Sequence, residues 1–177
     1  MVNAVEKSDS YNRGWRSIQN KGKDTHQYVD HWAKDINWGG GNDDEGSPLF
    51  TSFDGQVIFV GRVSSSVNSS ANNYGNQVIV YNSAKKLAVR FAHLKKTIAP
   101  MSQLLRTGDY IGDLGGTGNV TAPHLHLVVY ENIDSTALSY LQEGKFPTGE
   151  SWTSSGYSNK NVAFGYDDLF ELRDAND

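Results

Sequence analysis

Of the side chains that bind transition metals, this chain has no cysteine and five histidines: His26, His31, His93, His124 and His126. A metal here must be held by His together with Asp or Glu, a donor set suited to zinc. Two of the histidines have an informative spacing. His124 and His126 flank Leu125 in the run HLHLVVY, which reads as a strand. Side chains alternate along a strand, so both imidazoles fall on one face, roughly 7 Å apart at their base. Leu125 and Leu127 turn to the opposite face. The preceding GGTGNVTAP supplies Gly115, Gly116 and Gly118, which let backbone approach a ligand, and Pro123, which stiffens the entry. His93 closes another apolar run, LAVRFA. Upstream, Asp35 is a candidate carboxylate ligand. His31 precedes it in an HxxxD spacing that puts both side chains on one face of an extended segment, whereas His26 would reach a metal from a loop. Two His and one Asp make a three-ligand set that leaves a fourth position for water. Singly, each feature is ordinary: HxH on a wet sheet face, or a His capping a turn.

The elements that must position these residues are mostly strands. HWAKDIN (31–37) reads as a short strand, followed by the loop GGGNDDEGSP. GQVIFVG (55–61) is bounded by glycines, and QVIVY (77–81) and LAVRFA (87–92) are joined by the turn NSAKK. SSSVNSSANN between the first two reads as a flexible hairpin tip. Residues 101–105 lead into TGDYIGDLGGTGN, with a short strand at Tyr110–Ile111. Residues 134–143 begin with Asp134 and Ser135 as helix caps and are the clearest helix candidate. The adjacent acids Asp43, Asp44 and Glu45 read as a solvated turn.

Composition narrows the class. A chain of 177 residues suits one domain with a full core. Eighteen glycines and an 11% aromatic content favour turns and strands over helices. A net charge of -4 and pI near 5.7 argue against a nucleic-acid partner. No apolar run is long enough to span a membrane, and MVNAVEKSDS lacks the apolar core of a signal peptide. Paired carboxylates of the kind a glycosidase needs are absent from the pattern.

The ordered set GQVIFVG, YGNQVIVY, FAHL, TGDYIG and GGTGNVTAPHLHL resembles the lysostaphin/LytM-type zinc metallopeptidases over roughly residues 25–131. The resemblance implies a mainly β fold: an antiparallel sheet or sandwich of the lysostaphin-like (duplicated hybrid motif) type, with little helix and long loops walling a groove. It implies one zinc ion bound by His26 or His31, by Asp35 and by His126. His93 and His124 would flank the zinc water and the scissile carbonyl as catalytic residues. Tyr74, Asn76 and Thr117 would lie near a groove for peptidoglycan peptides, although Tyr74 also suits a core position. The family pattern departs here at Lys34, Ala122 and Leu127, none of them a ligand. The expected organisation is an arm (1–24), with Trp15 and Ile18 as anchors, a catalytic domain (25–147) and a packed extension (148–177). The expected setting is extracellular or periplasmic, as a monomer with any signal or anchor removed. A catalytically silent module that binds wall peptides or activates a hydrolase is the competing reading.

Overall fold

The computed structural model describes residues 16–17, 34–37, 41–51, 54–63, 74–97, 99–130, 132–145, 152–153 and 156–157. Its strands are β1 (Arg16–Ser17), β2 (Lys34–Asn37), β3 (Pro48–Phe50), β4 (Gly55–Gly61), β5 (Gln77–Asn82), β6 (Leu87–Ala92), β7 (Lys96–Thr97), β8 (Leu104–Leu105), β9 (Tyr110–Asp113), β10 (Leu125–Tyr130), β11 (Trp152–Thr153) and β12 (Gly156–Tyr157). Among the described residues one helix, α1 (Ser135–Gln142), follows β10. Every strand pairing among the described residues is antiparallel. A seven-stranded sheet runs β1-β2-β10-β6-β5-β4-β8, and a three-stranded sheet runs β3-β9-β7. The fold is the mainly β, helix-poor architecture that the sequence implied.

The apolar runs have no polar alternation because both faces of the large sheet are covered. Val78, Val80, Val89, Phe91, Leu125, Leu127 and Val129 share one cluster with Leu49, Ile111 and Leu114 from the region of the small sheet. Their neighbours in sequence, Ile79, Ala88, Val128 and Tyr130, pack on the other face with Ala137 and Leu141 of α1. Complete burial of each such Val or Leu contributes roughly 1.5–3 kcal/mol.

The helix starts as its caps predict. The Asp134 carboxylate accepts the Ala137 N–H at 2.8 Å. It ends in a Schellman motif: Lys145 N–H donates to Tyr140 O and Gly144 N–H to Leu141 O, both at 2.9 Å. Gly144 has a φ of +70°, and a Cβ there would lie 2.4 Å from the Phe59 ring.

Two expectations need correction, on Asp44 and on the start of β10. Asp44 is buried rather than solvated, whereas Glu45 forms an exposed ion pair with Lys95 at 3.2 Å. Within the expected N-terminal arm (1–24), Arg16–Ser17 pairs antiparallel with β2 at the edge of the large sheet. The strand expected to begin at His124 begins at Leu125. His124 instead makes an isolated bridge to Gly115. His26, His31, Trp15, Ile18, the SSSVNSSANN segment and most of residues 148–177 lie outside the described residues.

Candidate functional site

Register brings the chemistry together. His126 on β10 stands directly opposite Asp35 on β2 and, on its other side, opposite Ala92 of β6. Because His126 shares its face with Val128 and Tyr130, it sits on the helix side of the sheet, beyond the patch that α1 covers. Its Nδ1 lies 2.9 Å from Asp35 Oδ1. His93 follows Ala92 immediately, and the Gly115–Pro123 loop leads into His124, just ahead of β10. The ring centroids of His93 and His124 are 4.8 Å apart, and those of His93 and His126 are 5.5 Å apart.

Backbone anchors set the orientation of two rings. His93 Nδ1–H donates to Thr117 O at 2.8 Å, and His124 Nδ1–H donates to Ala122 O at 2.9 Å. These bonds fix the neutral tautomer that carries its free lone pair on Nε2. His124 Nε2 lies 3.5 Å from Asp35 Oδ1. His93 is buried, and its pKa falls to about 3, first through desolvation and then through the neighbouring His126 and His124. Its backbone is left-handed, with a φ of 64°, and its N–H is held by Tyr74 O at 2.9 Å.

The other candidates serve this scaffold. Thr117 Oγ1 accepts the Asn76 N–H and donates to Leu94 O, both at 2.9 Å, while Asn76 Nδ2 donates to Leu94 O at 3.1 Å. Tyr74 is buried, with its ring centroid 5.0 Å from that of His126. Gly75, between Tyr74 and Asn76, has a φ of +60°, and a Cβ there would meet the Thr117 carbonyl at 2.4 Å. Gly75→Ala is therefore expected to destabilise the fold by about 1–3 kcal/mol and to shift the carbonyl that holds His93. Chemical denaturation and the His93 imidazole NMR signal would check both effects. Beyond the loop lies a cavity of about 300 Å³ lined by Asn42, Glu45, Lys95, Thr117, Thr121 and Pro123 among others.

The donor chemistry fits a metal ion. Ligand atoms of His93, His124 and His126 all lie within 4.8 Å of one another. The Asp35–His126 pair is tighter still. In a tetrahedral zinc shell with bonds near 2.0–2.1 Å, donors stand about 3.3 Å apart, close to the 2.9 Å between Asp35 Oδ1 and His126 Nδ1. Sequence reasoning named these residues but missed Ala122 O as an anchor and Arg90 as a neighbour of Tyr74. Arg90, the one charged residue of the apolar run LAVRFA, is fully buried, with its Cζ 4.6 Å from the Tyr74 ring centroid.

Comparison with known proteins places this geometry in a family. Residues 41–138 match the family model described as peptidase family M23. The chain is 38% identical over 84 residues to the peptidoglycan DD-endopeptidase ShyB of Vibrio cholerae, covering 48% of this chain and 18% of that protein. It is 32% identical over 82 residues to the cell division protein DipM of Caulobacter vibrioides, covering 46% of this chain and 12% of that one. It thus spans less than a fifth of the length of either relative. The fold resembles the solved structure of LytU with a TM-score of 0.53 at 21% identity, covering 73% of this chain and 82% of that one. The family match extends over more than half of the 177 residues and contains His93, His124 and His126, so the chain belongs to peptidase family M23.

Proposed function

We propose that the chain is a zinc-dependent endopeptidase that hydrolyses peptide cross-links or stem peptides of bacterial peptidoglycan, acting in the periplasm or outside the cell. The observation that carries this reading is the convergence of Asp35, His126, His93 and His124 from two strands and two loops onto one spot on the sheet. Zinc would be held by Asp35, His126 and an upstream histidine, His26 or His31. The 2.9 Å Asp35–His126 separation suits one metal shell better than the 4.8 Å spread of the three-histidine set. When bound, zinc would make its water a nucleophile near neutral pH and polarise the scissile carbonyl.

The remaining roles fall to the chain's own groups. His93 and His124 each commit Nδ1–H to a backbone carbonyl and so present Nε2 to the substrate. One would take the proton of the attacking water as general base. The other, after taking a proton from solvent at Nε2, would donate a hydrogen bond to the developing oxyanion. Burial of His93 keeps competing bulk water away from this exchange. The similarity to peptidoglycan DD-endopeptidases supports wall peptides as the substrate class.

The test is release of soluble fragments from purified peptidoglycan, with chelator and then with zinc restored. Release should stop with chelator and return with zinc, and the new termini would name the bond cut. A chain with zinc bound that releases nothing from several wall types would instead be a binding or activating module.

A further inference from the structure

We propose that Arg90 is a positioning residue for the histidine cluster, holding Tyr74 so that Tyr74 in turn holds the His126 ring and the His93 backbone. This rests on the same site being the working centre. Arg90 lies in β6 between Ala88 and Ala92, which share its face, and both alanines are fully buried. Two small side chains beside it leave room for a guanidinium to lie across the sheet. Taking that cation out of water is expensive, and an apolar residue would hold the strand at less cost. What Arg90 touches explains its presence.

Nη1 donates to Gln77 Oε1 at 2.8 Å and to Gly144 O at 3.2 Å, and Nη2 donates to Lys145 O at 2.7 Å. Those two carbonyls belong to the Schellman turn that ends α1, where the helix dipole favours a positive charge. The guanidinium carbon stands 4.6 Å from the Tyr74 ring centroid and 5.7 Å from that of Tyr130, within cation–π range of both. One planar cation thus ties β5, β6, β10 and the end of α1 to Tyr74. Tyr74 carries the connection onward in two ways. Its ring packs 5.0 Å from the His126 ring, and its carbonyl accepts the His93 N–H at 2.9 Å, fixing a residue in the left-handed region. None of these contacts joins His124 to Arg90 or Tyr74, and His124 has its own backbone anchor, Ala122 O, although its ring also neighbours that of His93.

The separate anchoring makes the proposal specific: loss of Arg90 should disturb His93 and His126 more than His124. Lysine keeps the charge but loses the planar fork and the stack, so Arg90→Lys is the informative variant. In the metal-free chain labelled at histidine nitrogen, the His93 and His126 ring signals are expected to shift or broaden, with His124 least changed. Zinc affinity, measured by chelator competition, should weaken about 10- to 100-fold, as for other residues that orient a metal ligand. In a wall-cleavage assay kcat should fall more than KM.

Gln77→Met removes one of the Arg90 bonds and leaves the cation in place. It should move the same two ring signals in the same direction by less, and it carries the comparison if Arg90→Lys does not hold its fold. Folded variants with wild-type ring signals and zinc affinity would overturn the proposal, as would equal disturbance of all three rings. If the parent chain bound no zinc and cut nothing while the ring signals still responded, the endopeptidase reading would fall and the role of Arg90 would stand.

Discussion

His126→Ala and Asp35→Ala are each expected to yield a folded chain that no longer retains zinc through dialysis. The loss of affinity should exceed the about 10- to 100-fold change that accompanies removal of an outer partner, because a donor atom itself disappears. The two substitutions should act alike although the residues are 91 positions apart in sequence, since register places them opposite one another with 2.9 Å between Nδ1 and Oδ1. Elemental analysis of dialysed protein, beside a thermal melt, would check this. Metal content equal to the parent in either variant removes that residue from the ligand set. The same measurement on His26→Ala and His31→Ala separates the two upstream candidates: the ligand variant should lose zinc and the other keep it. Asp35→Asn adds a finer contrast, because it preserves shape and removes the charge that pairs with the cation.

The second large effect should be on turnover with zinc retained. His124→Ala and His93→Asn are expected to cut hydrolysis by about 10²- to 10⁴-fold, the range for a lost acid–base group or oxyanion donor. Asn suits position 93 because that residue has a φ of 64° and Asn is among the side chains that tolerate it. A drop in activity can then be read as lost chemistry rather than lost backbone. A single-turnover assay with a defined cross-linked peptide, run alongside zinc analysis, distinguishes these variants from the ligand variants. Full activity in either would exclude that histidine from the reaction. Loss of zinc from His93→Asn would point instead to the three-histidine set as the metal site.

These two experiments follow the division between imidazoles anchored on backbone carbonyls and the one aimed at a carboxylate, a division that is electrostatic in origin. A ring whose Nδ1–H is held by a carbonyl offers a single basic nitrogen, as His93 and His124 do. His126 directs Nδ1 at a carboxylate instead. The low pKa of His93 follows from burial beside two other imidazoles and marks it as neutral in the metal-free chain.

Much of this was legible in the sequence because it depends on local rules. Alternation along HLHLVVY put two imidazoles on one face, and Asp134 announced the start of α1. Apolar runs bounded by turn residues located β4, β5, β6 and β10 within a residue or two. The roles of the histidine and aspartate candidates could be named because the ordered motifs resemble a known family, since singly each feature is ordinary.

The rest depends on contacts between distant segments, which residue type and spacing do not encode. Nothing local shows that Asp44 is buried while Glu45 is exposed and paired with Lys95, since both sit in one acidic turn. The two-residue strands β1, β7 and β8 are too short to leave a periodic signal and exist only through their partners. Thr117 and Ala122 act on the histidines through carbonyl oxygens, which every residue possesses, so their types could not reveal that role. Arg90 is the clearest case: residue type argued for a surface position, whereas two flanking alanines, two tyrosine rings and the carbonyls ending α1 together make a buried place for its charge.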